Sequence, residues 1–260
     1  MSNNLELLFL GTCACDFTDR LENEFKDRFD KDERRASSLL INGRYLIDCG
    51  MHILDSLRIA GVDASKITDV FITHLHDDHF NAENIRKIAK ESATPLKIWV
   101  KSGAKALEID NAEIIYMSPF EKYKISEELT ITGMDANHDP EAYPQHFLIE
   151  KDNKKLFYGC DGAWLLTNTY NYLRGAELDV AVFDATVGDY NGDYRIAEHN
   201  SIPMLRLMLP TLKNEKIITE QTKIFLSHIA PSLHKPHGEI LEIAKGFGAD
   251  VAFDGLKMRI

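Results

Sequence analysis

Cysteine and long apolar runs are both scarce in this sequence. Its 260 residues include four cysteines, Cys13, Cys15, Cys49 and Cys160, which are too few and too scattered for a disulfide framework. Cys13 and Cys15 could bind a soft metal, but small residues buried in a turn are the simpler interpretation. No apolar stretch approaches the ~20 residues that a membrane span requires, and the first residues lack the basic start of a signal peptide. We therefore expect a cytoplasmic protein with free thiols and no membrane segment.

Positive charge is also in short supply. The chain has 30 Lys and Arg residues against 41 Asp and Glu residues, a formal net charge of −11, which disfavours electrostatic capture of long nucleic acid. Apolar residues make up 44% and charged residues 27% of the chain, as in ordinary globular proteins. We find no internal repeat, low-complexity tract or Pro/Gly/Ser linker, so we predict one domain over residues 1–260 that acts on a small molecule.

Strand-like and helical patterns alternate along the chain. Runs rich in β-branched and aromatic residues predict strands at Leu5–Leu10, Ser38–Ile41, Tyr45–Asp48, Val70–Thr73, Leu96–Val100, Leu129–Thr132, Phe147–Glu150, Leu156–Tyr158, Val180–Asp184, Ile224–Ser227 and Val251–Phe253. Apolar residues at three- and four-residue steps predict helices at Met51–Ala60, Asn81–Lys90, Ala163–Leu173, Ser201–Leu212 and Pro236–Phe247. These patterns indicate an α/β protein with helices outside the strands.

The stretch from Asp16 to Arg35 breaks this pattern. It is dense in charge and has few apolar residues other than Phe17, Leu21, Phe25 and Phe29. It is predicted to be either a short amphipathic helix or a charged mobile flap over residues 16–35.

The most informative segment runs from His74 to His79. His74, His76, Asp78 and His79 follow an apolar strand and precede a predicted helix. The turn between the two frees the side chains from strict alternation, so several can converge on one point. Imidazole and carboxylate together are ligands for zinc, manganese, iron and nickel, and the segment therefore predicts a metal site.

This segment resembles the signature His-x-His-x-Asp-His of the metallo-β-lactamase superfamily. The resemblance continues at Ala136-Asn137-His138, Tyr158-Gly159-Cys160-Asp161-Gly162 and Phe225-Leu226-Ser227-His228. It implies an αββα four-layer sandwich with the metals at one edge. It also implies two divalent cations, the first held by His74, His76 and His138, the second by Asp78, His79 and His228, with Asp161 bridging them. Such a pair would activate a shared water and polarise a substrate oxygen.

A narrower likeness is to the phosphodiesterase branch of that superfamily. It rests on Gly11-Thr12, Ile47-Asp48-Cys49-Gly50, Phe183-Asp184-Ala185-Thr186, Glu198-His199-Asn200-Ser201 and Phe253-Asp254-Gly255-Leu256. The chain looks most like the phosphoribosyl cyclic phosphate phosphodiesterases and less like tRNase Z. This implies a metal-bound hydroxide, with zinc, manganese or iron, that opens a small cyclic or nucleotide-like phosphodiester, and Asp78 and His199 as catalytic residues. Members of the branch are often dimers, so a homodimer is an open alternative. The cysteine cluster that holds a structural zinc in the nearest relatives is not matched after Cys13-Ala14-Cys15.

Two other functions stay open at this point. The same metal pair could hydrolyse a lactone, thioester or β-lactam, or the fold could bind metal without catalysis. His234, Lys235 and His237 could line the substrate mouth or simply form a loop and a helix start. Arg34 and Arg35 could reach a phosphate from the flap or lie exposed on the surface.

Overall fold

Two mixed β-sheets pack face to face in the computed structural model, which describes residues 4–105, 108–127 and 129–260. The strands are β1 (Glu6–Gly11), β2 (Ser38–Ile41), β3 (Tyr45–Ile47), β4 (Asp69–Phe71), β5 (Leu96–Lys101), β6 (Ala112–Met117), β7 (Lys122–Lys124), β8 (Leu129–Asp135), β9 (Gln145–Lys151), β10 (Lys154–Gly159), β11 (Val180–Asp184), β12 (Lys223–Ser227), β13 (Asp250–Val251) and β14 (Lys257–Arg259). The first sheet has the order β14-β1-β2-β3-β4-β5-β6, and the second has the order β13-β12-β11-β10-β9-β8-β7.

The helices lie on the two outer faces of this pair of sheets. They are α1 (Asp19–Asn23), α2 (Ile53–Ile59), α3 (Ala82–Glu91), α4 (Thr167–Leu173), α5 (Ile202–Asn214) and α6 (His237–Lys245). Side chains of α2 and α3 share a buried cluster with the first sheet, and side chains of α4, α5 and α6 share one with the second. The predicted αββα four-layer arrangement is confirmed. No helix in the described ranges has the length and apolar character to cross a membrane.

Alternation along the strands divides the core into layers. Leu7 and Phe9 of β1 point between the two sheets, whereas Leu10 packs toward the helices of the first sheet. Aromatic rings join the sheets across the middle layer, with Phe9 and Phe225 centroids 5.8 Å apart and those of Phe71 and Phe147 6.1 Å apart. These contacts bring the two sheets into one core, so loops at one edge of both sheets can meet.

The strand directions bring the sequence motifs to that edge. In the second sheet β10, β11 and β12 are parallel, and β8 runs the same way because both β8 and β10 are antiparallel to β9. The loops after these strands therefore start from the same edge, where the loop that follows β4 of the first sheet meets them.

Several strands at the sheet edges were not predicted from the sequence. β6, β7 and β14 are edge strands that escaped prediction, and the strand predicted at Val251–Phe253 is limited to the edge pair Asp250–Val251. β7 reads Lys-Tyr-Lys and β14 reads Lys-Met-Arg, so both are short and mostly charged. They form by pairing, β7 with the next strand β8 and β14 with β1 at the other end of the chain. The predicted helix Ala163–Leu173 begins only at Thr167, after an extended residue at Leu166.

The segment from Asp16 to Arg35 contains one short helix, α1, with Leu21 and Phe25 buried. Arg34 and Arg35 are 3% and 2% exposed, so both expectations for them, a phosphate contact from a flap and an exposed surface position, are wrong. Arg35 donates to the carbonyl oxygens of Phe25 at 2.6 Å and Arg28 at 3.2 Å, and these bonds compensate for the burial of its charge. Mobility of residues 16–35 remains a prediction.

Candidate metal centre

The predicted ligands lie just after strand ends at the shared edge. His74, His76, Asp78 and His79 follow β4, and His138, Asp161 and His228 follow β8, β10 and β12. Asp161 and His228 have left-handed backbones, with φ of 58° and 56°. Such conformations are rare for residues with a Cβ and concentrate at functional sites, where they turn a side chain away from strand alternation.

Asp161 lies at the centre of the cluster. Its Oδ2 atom is 3.2 Å from His74 Nε2, 3.4 Å from His79 Nε2 and 3.3 Å from His228 Nε2. Its Oδ1 atom is 3.5 Å from His138 Nδ1. One carboxylate therefore contacts histidines from both predicted ligand sets, as a bridging ligand would.

The remaining predicted ligands complete the two sets. His76 Nδ1 lies 3.2 Å from His138 Nε2, and both belong to one group with His74 and Asp161 whose ligand atoms lie within 4.8 Å of one another. In the second set, His79 Nε2 lies 3.2 Å from His228 Nε2 and 3.3 Å from Asp78 Oδ2. The structure thus brings all seven residues together, and their role as ligands stays a prediction.

Buried acceptors orient three of these histidines. Asp48 Oδ2 accepts from His79 Nδ1 at 2.8 Å, and Thr73 Oγ1 lies 3.1 Å from His74 Nδ1. On the other side, Thr186 Oγ1 lies 2.7 Å from His228 Nδ1. With Nδ1 engaged in this way, the Nε2 atom of each ring faces the cluster, an arrangement common in metal sites.

Asp184 supports the cluster from the end of β11. Its Oδ2 atom is 3.2 Å from His228 Nδ1 and 3.1 Å from His199 Nδ1, so it fixes two rings at once. Asp48 and Asp184 belong to motifs that carry the resemblance to the phosphodiesterase branch, but neither was predicted to act at the site. Each is an aspartate at the end of a buried strand, which is a visible signal in the sequence. The histidines that they contact, however, lie 15 to 44 residues away along the chain.

The centre concentrates negative charge out of water. Asp48, Asp78, Asp161 and Asp184 are all at most 5% exposed, and in the described ranges their only ion-pair partners within 4.0 Å are histidines. Burial opposes ionisation of Asp78 and Asp161, yet neighbouring histidines hold the pKa of each carboxyl below its usual range. Burial, with a further contribution from the neighbouring His79, lowers the pKa of His74 to about 3, and the opposing effect of Asp161 is too small to reverse this.

These residues fit divalent cations. Two ligand atoms that each bond a tetrahedral cation at about 2.1 Å lie roughly 3.4 Å apart, and the contacts around Asp161 Oδ2 measure 3.2 to 3.4 Å. Among the described residues, His74 Nε2 and Asp161 Oδ1 are buried and make no hydrogen bond, although each lies within ion-pair distance of a neighbour. Buried polar atoms without a hydrogen bond are costly, and a bound cation would satisfy them.

His199 stands beside the predicted ligands and faces the open side of the site. Its side chain is 15% exposed, and Nδ1 lies 3.0 Å from Asp161 Oδ1 as well as near Asp184. Burial disfavours the charged ring, but Asp184 and Asp161 outweigh it and raise the pKa of His199 to about 11. The hydrogen bonds and ion pairs of this ring within the described ranges all use Nδ1, which leaves Nε2 available to a ligand.

A cavity of about 350 Å³ opens onto this centre. Its lining includes six of the residues described above, His76, Asp78, His138, Asp161, His199 and His228, together with Cys15, Arg195 and Glu198. Arg195 and Cys15 were not predicted to lie here. Cys13, in contrast, is a buried residue of the turn after β1, as the simpler interpretation expected.

The other histidines lie outside this cavity. His234 donates from Nε2 to the carbonyl oxygen of Ala185 at 2.7 Å, and it faces a neighbouring cavity together with Lys235. His237 is buried at the start of α6, where Nδ1 lies 3.0 Å from Arg34. His237 therefore belongs to a helix start and not to the substrate mouth.

Comparison with known proteins agrees with this geometry. Residues 29–90, which contain the His74 to His79 motif, match a family model described as Anti-Pycsar protein Apyc1. Ribonuclease BN of Cronobacter sakazakii is 27% identical over 171 residues, a match that spans 58% of this chain and 51% of that protein. The matched region is therefore only about half the length of that relative.

Solved structures match over almost the whole chain. YhfI of Bacillus subtilis, described as a metallo-β-lactamase fold protein, superposes with a TM-score of 0.77 at 15% identity and covers 99% of this chain and 100% of its own. A diphosphatase from the PhnP family has a TM-score of 0.72 at 17% identity, with 99% and 97% of the two chains covered. The chain has the metallo-β-lactamase fold.

Proposed function

We propose that this protein is a metal-dependent hydrolase, and more specifically a phosphodiesterase that acts on a small cyclic or nucleotide-like phosphodiester. The observation that carries the proposal is the arrangement around Asp161. Histidines from both predicted ligand sets contact one buried carboxylate, and the set faces an open cavity. In the described ranges the buried carboxylates have histidines and neither Lys nor Arg as ion-pair partners, and such a set of imidazole and carboxylate donors suits divalent cations.

Two divalent cations bound here would lower the pKa of a water and polarise a substrate oxygen. The protein's own residues would hold and orient these ions. Asp161 keeps the two sets close together, while Asp48 and Asp184 lock the rings of His79 and His228. Zinc, manganese and iron all suit such nitrogen and oxygen donors.

His199 and Arg195 favour a phosphoryl substrate over an ester or lactam. Both line the cavity at the predicted metal centre. A guanidinium suits the charge of a phosphate oxygen, and His199 Nε2 could donate a proton to the leaving oxygen as the bond breaks. Two matched proteins are named for phosphate chemistry, a ribonuclease and a diphosphatase.

The size and charge of the site favour a small substrate. A volume of about 350 Å³ is at the small end of ligand pockets. The net charge of −11 opposes the approach of a long polyanion. We therefore place the substrate among small phosphodiesters.

A panel of substrates with parallel metal analysis tests this proposal. Protein purified without chelator is assayed with bis(p-nitrophenyl) phosphate, nucleoside 2′,3′-cyclic phosphates, a lactone and a cephalosporin, while elemental analysis counts bound metal. We expect two metals per chain and turnover of diesters alone. His52→Ala is the control variant, because it removes a histidine that lies outside the cluster at the start of α2. It should keep the same metal content and the same turnover as the unmodified protein. Turnover of the lactone or cephalosporin alone would contradict the phosphodiesterase assignment, and metal-loaded protein without any activity would contradict the enzyme assignment.

A further inference from the structure

A second cavity lies next to the predicted metal centre. It has a volume of about 700 Å³, twice that of the cavity at the metal centre. Ser232 and Leu233 line both cavities, so the turn that contains them forms the ridge between the two. A molecule that crosses this ridge could occupy both spaces at once.

The walls of the second cavity continue from the segments that build the metal centre. Asp189 and Tyr190 follow Thr186, Ile202 follows His199, and Leu233 follows His228, each within five residues. The position of this cavity relative to the predicted ligands is therefore fixed by short lengths of chain, with no long mobile connection.

Close contacts hold these walls in place. A Cβ atom at Gly188 would lie 2.1 Å from the carbonyl oxygen of Leu233, so only glycine lets the two loops approach this closely. Arg206 of α5 donates to both carboxylate oxygens of Asp189, at 2.6 and 3.0 Å. His234 bonds the carbonyl oxygen of Ala185 at the foot of the same loop. The cavity is thus a built feature of the fold.

The lining combines an apolar surface with several polar groups. Ile202, Leu233, Ile240 and Ile243 supply aliphatic surface, and the exposed ring of Tyr190 supplies an aromatic face. The polar lining residues are Asp189, which is paired with Arg206, and Ser232, His234 and Lys235. Apolar walls with a small number of polar groups are typical of pockets that bind an organic ligand, and a volume near 700 Å³ is in their usual range.

We propose that this second cavity binds the organic substituent of the substrate, a group of nucleoside size, while the phosphate lies at the metal centre. The inference rests on the proposed function and makes it more specific. The cavity at the predicted metal centre has half the volume of the second cavity, and the adjoining space would accommodate the part of a larger molecule that extends beyond the phosphate. Substrates with a larger organic group should therefore be preferred over simple alkyl esters.

Filling the cavity tests this assignment. Thymidine 5′-(p-nitrophenyl phosphate) and methyl p-nitrophenyl phosphate release the same leaving group but differ in their second substituent. Ile243→Trp places a large ring in the cavity and should lower kcat/KM for the thymidine ester by at least about tenfold, since apolar pocket contacts discriminate by roughly 10- to 200-fold. It should leave the methyl ester within about twofold. Leu241→Trp is the matched control, because Leu241 is a half-buried residue of the same helix that does not line the cavity.

Tyr190→Ala tests the same wall without adding bulk. It should weaken the thymidine ester more than the methyl ester, while Tyr172→Ala, which removes an equally exposed tyrosine elsewhere, should change neither. This second variant keeps the test sound if the tryptophan variant does not fold. Equal effects of Ile243→Trp or Tyr190→Ala on the two esters would overturn the inference.

Binding measurements separate the inference from the proposed function. Calorimetry of the metal-loaded protein compares thymidine 5′-monophosphate, adenosine 5′-monophosphate and inorganic phosphate. If neither ester is hydrolysed, the phosphodiesterase proposal fails, but the cavity assignment stands when a nucleotide binds more tightly than phosphate and Ile243→Trp abolishes that difference. If neither nucleotide binds more tightly than phosphate, the cavity assignment fails whatever the activity.

Discussion

Replacing Asp184 with Asn removes one charge while keeping the size of the side chain, and it should weaken one of the two predicted cations. Asp184 Oδ1 accepts from the backbone N–H of Thr186 at 3.0 Å and of Asn200 at 2.9 Å. Oδ2 faces His199 and His228, at 3.1 and 3.2 Å from their Nδ1 atoms. Every neighbour within reach of this carboxylate is therefore either a donor or a hydroxyl group.

An amide cannot satisfy that environment in either orientation. In one orientation of Asp184→Asn, the amide oxygen accepts from the two backbone N–H groups, but the NH₂ group then points at the ring N–H of His228. In the other orientation, the NH₂ group points at the two backbone N–H groups. A buried donor left without an acceptor costs about 1 to 3 kcal/mol. Loss of such a supporting carboxylate typically weakens metal binding by about 10- to 100-fold, which corresponds to about 1.4 to 2.7 kcal/mol.

The expected effect is confined to the cation that His228 binds. His74, His76 and His138 have no contact with Asp184 among the described interactions, so the first cation should keep its affinity. Competition with a chelator, followed by elemental analysis, should show one metal released about 10- to 100-fold more readily and the other unchanged. Asp250→Asn, a charge loss at an exposed edge strand, is the matched control. If Asp184→Asn kept both affinities within twofold, or weakened both equally, the argument from His228 orientation would be refuted.

The other substitutions test the bridge, the proton donor and the buried carboxyl near the C-terminus. Asp161→Ala should lose both metals and retain less metal than His76→Ala, because the two carboxylate oxygens of Asp161 contact both ligand sets. Elemental analysis that still finds two metals in Asp161→Ala would disprove the bridging role. His199→Ala should keep both metals and lower turnover of diesters with poor leaving groups by roughly 10²- to 10⁴-fold, less for nitrophenyl esters, whereas loss of a metal would make His199 a ligand. Burial raises the pKa of Asp254 from 3.8 to about 7, so the folded protein holds a proton there that the unfolded chain has released. The contribution of this group to the free energy of unfolding should be fully present below about pH 4 and should fall by up to about 1.4 kcal/mol per pH unit toward pH 7. Urea unfolding at several pH values measures this dependence of the free energy on pH, which should be weaker in Asp254→Asn. The same dependence in the variant and the unmodified protein would contradict the prediction.

The clustering of the predicted ligands could be inferred from the sequence because much of the signal is local. His74, His76, Asp78 and His79 lie within six positions after an apolar strand, and no other common arrangement explains that density of ligands. The resemblance then supplied His138, Asp161 and His228, which single residues at strand ends could not have indicated alone. The supporting carboxylates Asp48 and Asp184 were not assigned, because an orienting contact depends on side-chain directions that a sequence does not contain.

The second cavity and the edge strands could not be predicted for a related reason. A cavity is a space between segments, here the turns after β11 and β12 and the start of α5, and its shape depends on how closely they approach. The contact of Gly188 with Leu233 joins residues 45 positions apart, and a glycine in a loop gives no sign of its partner. Edge strands such as β14 likewise owe their conformation to a neighbour far along the chain, and their own sequence is polar.

In the segment from Asp16 to Arg35, the charge of a residue was a poor predictor of its exposure to solvent. Charged residues are seldom buried, so Arg34 and Arg35 were expected at the surface or at a phosphate. Arg34 instead donates to Thr12 Oγ1 at 2.7 Å and to the carbonyl oxygen of Ala252 at 2.6 Å, and Arg35 is held by carbonyl oxygens of its own segment. These acceptors replace the water that the guanidinium groups lose, and they connect the segment to the C-terminal strands. Asp16 of the same segment accepts from the backbone N–H of Ser232 on the ridge between the two cavities, so this charged segment also contacts one wall of the proposed substrate site.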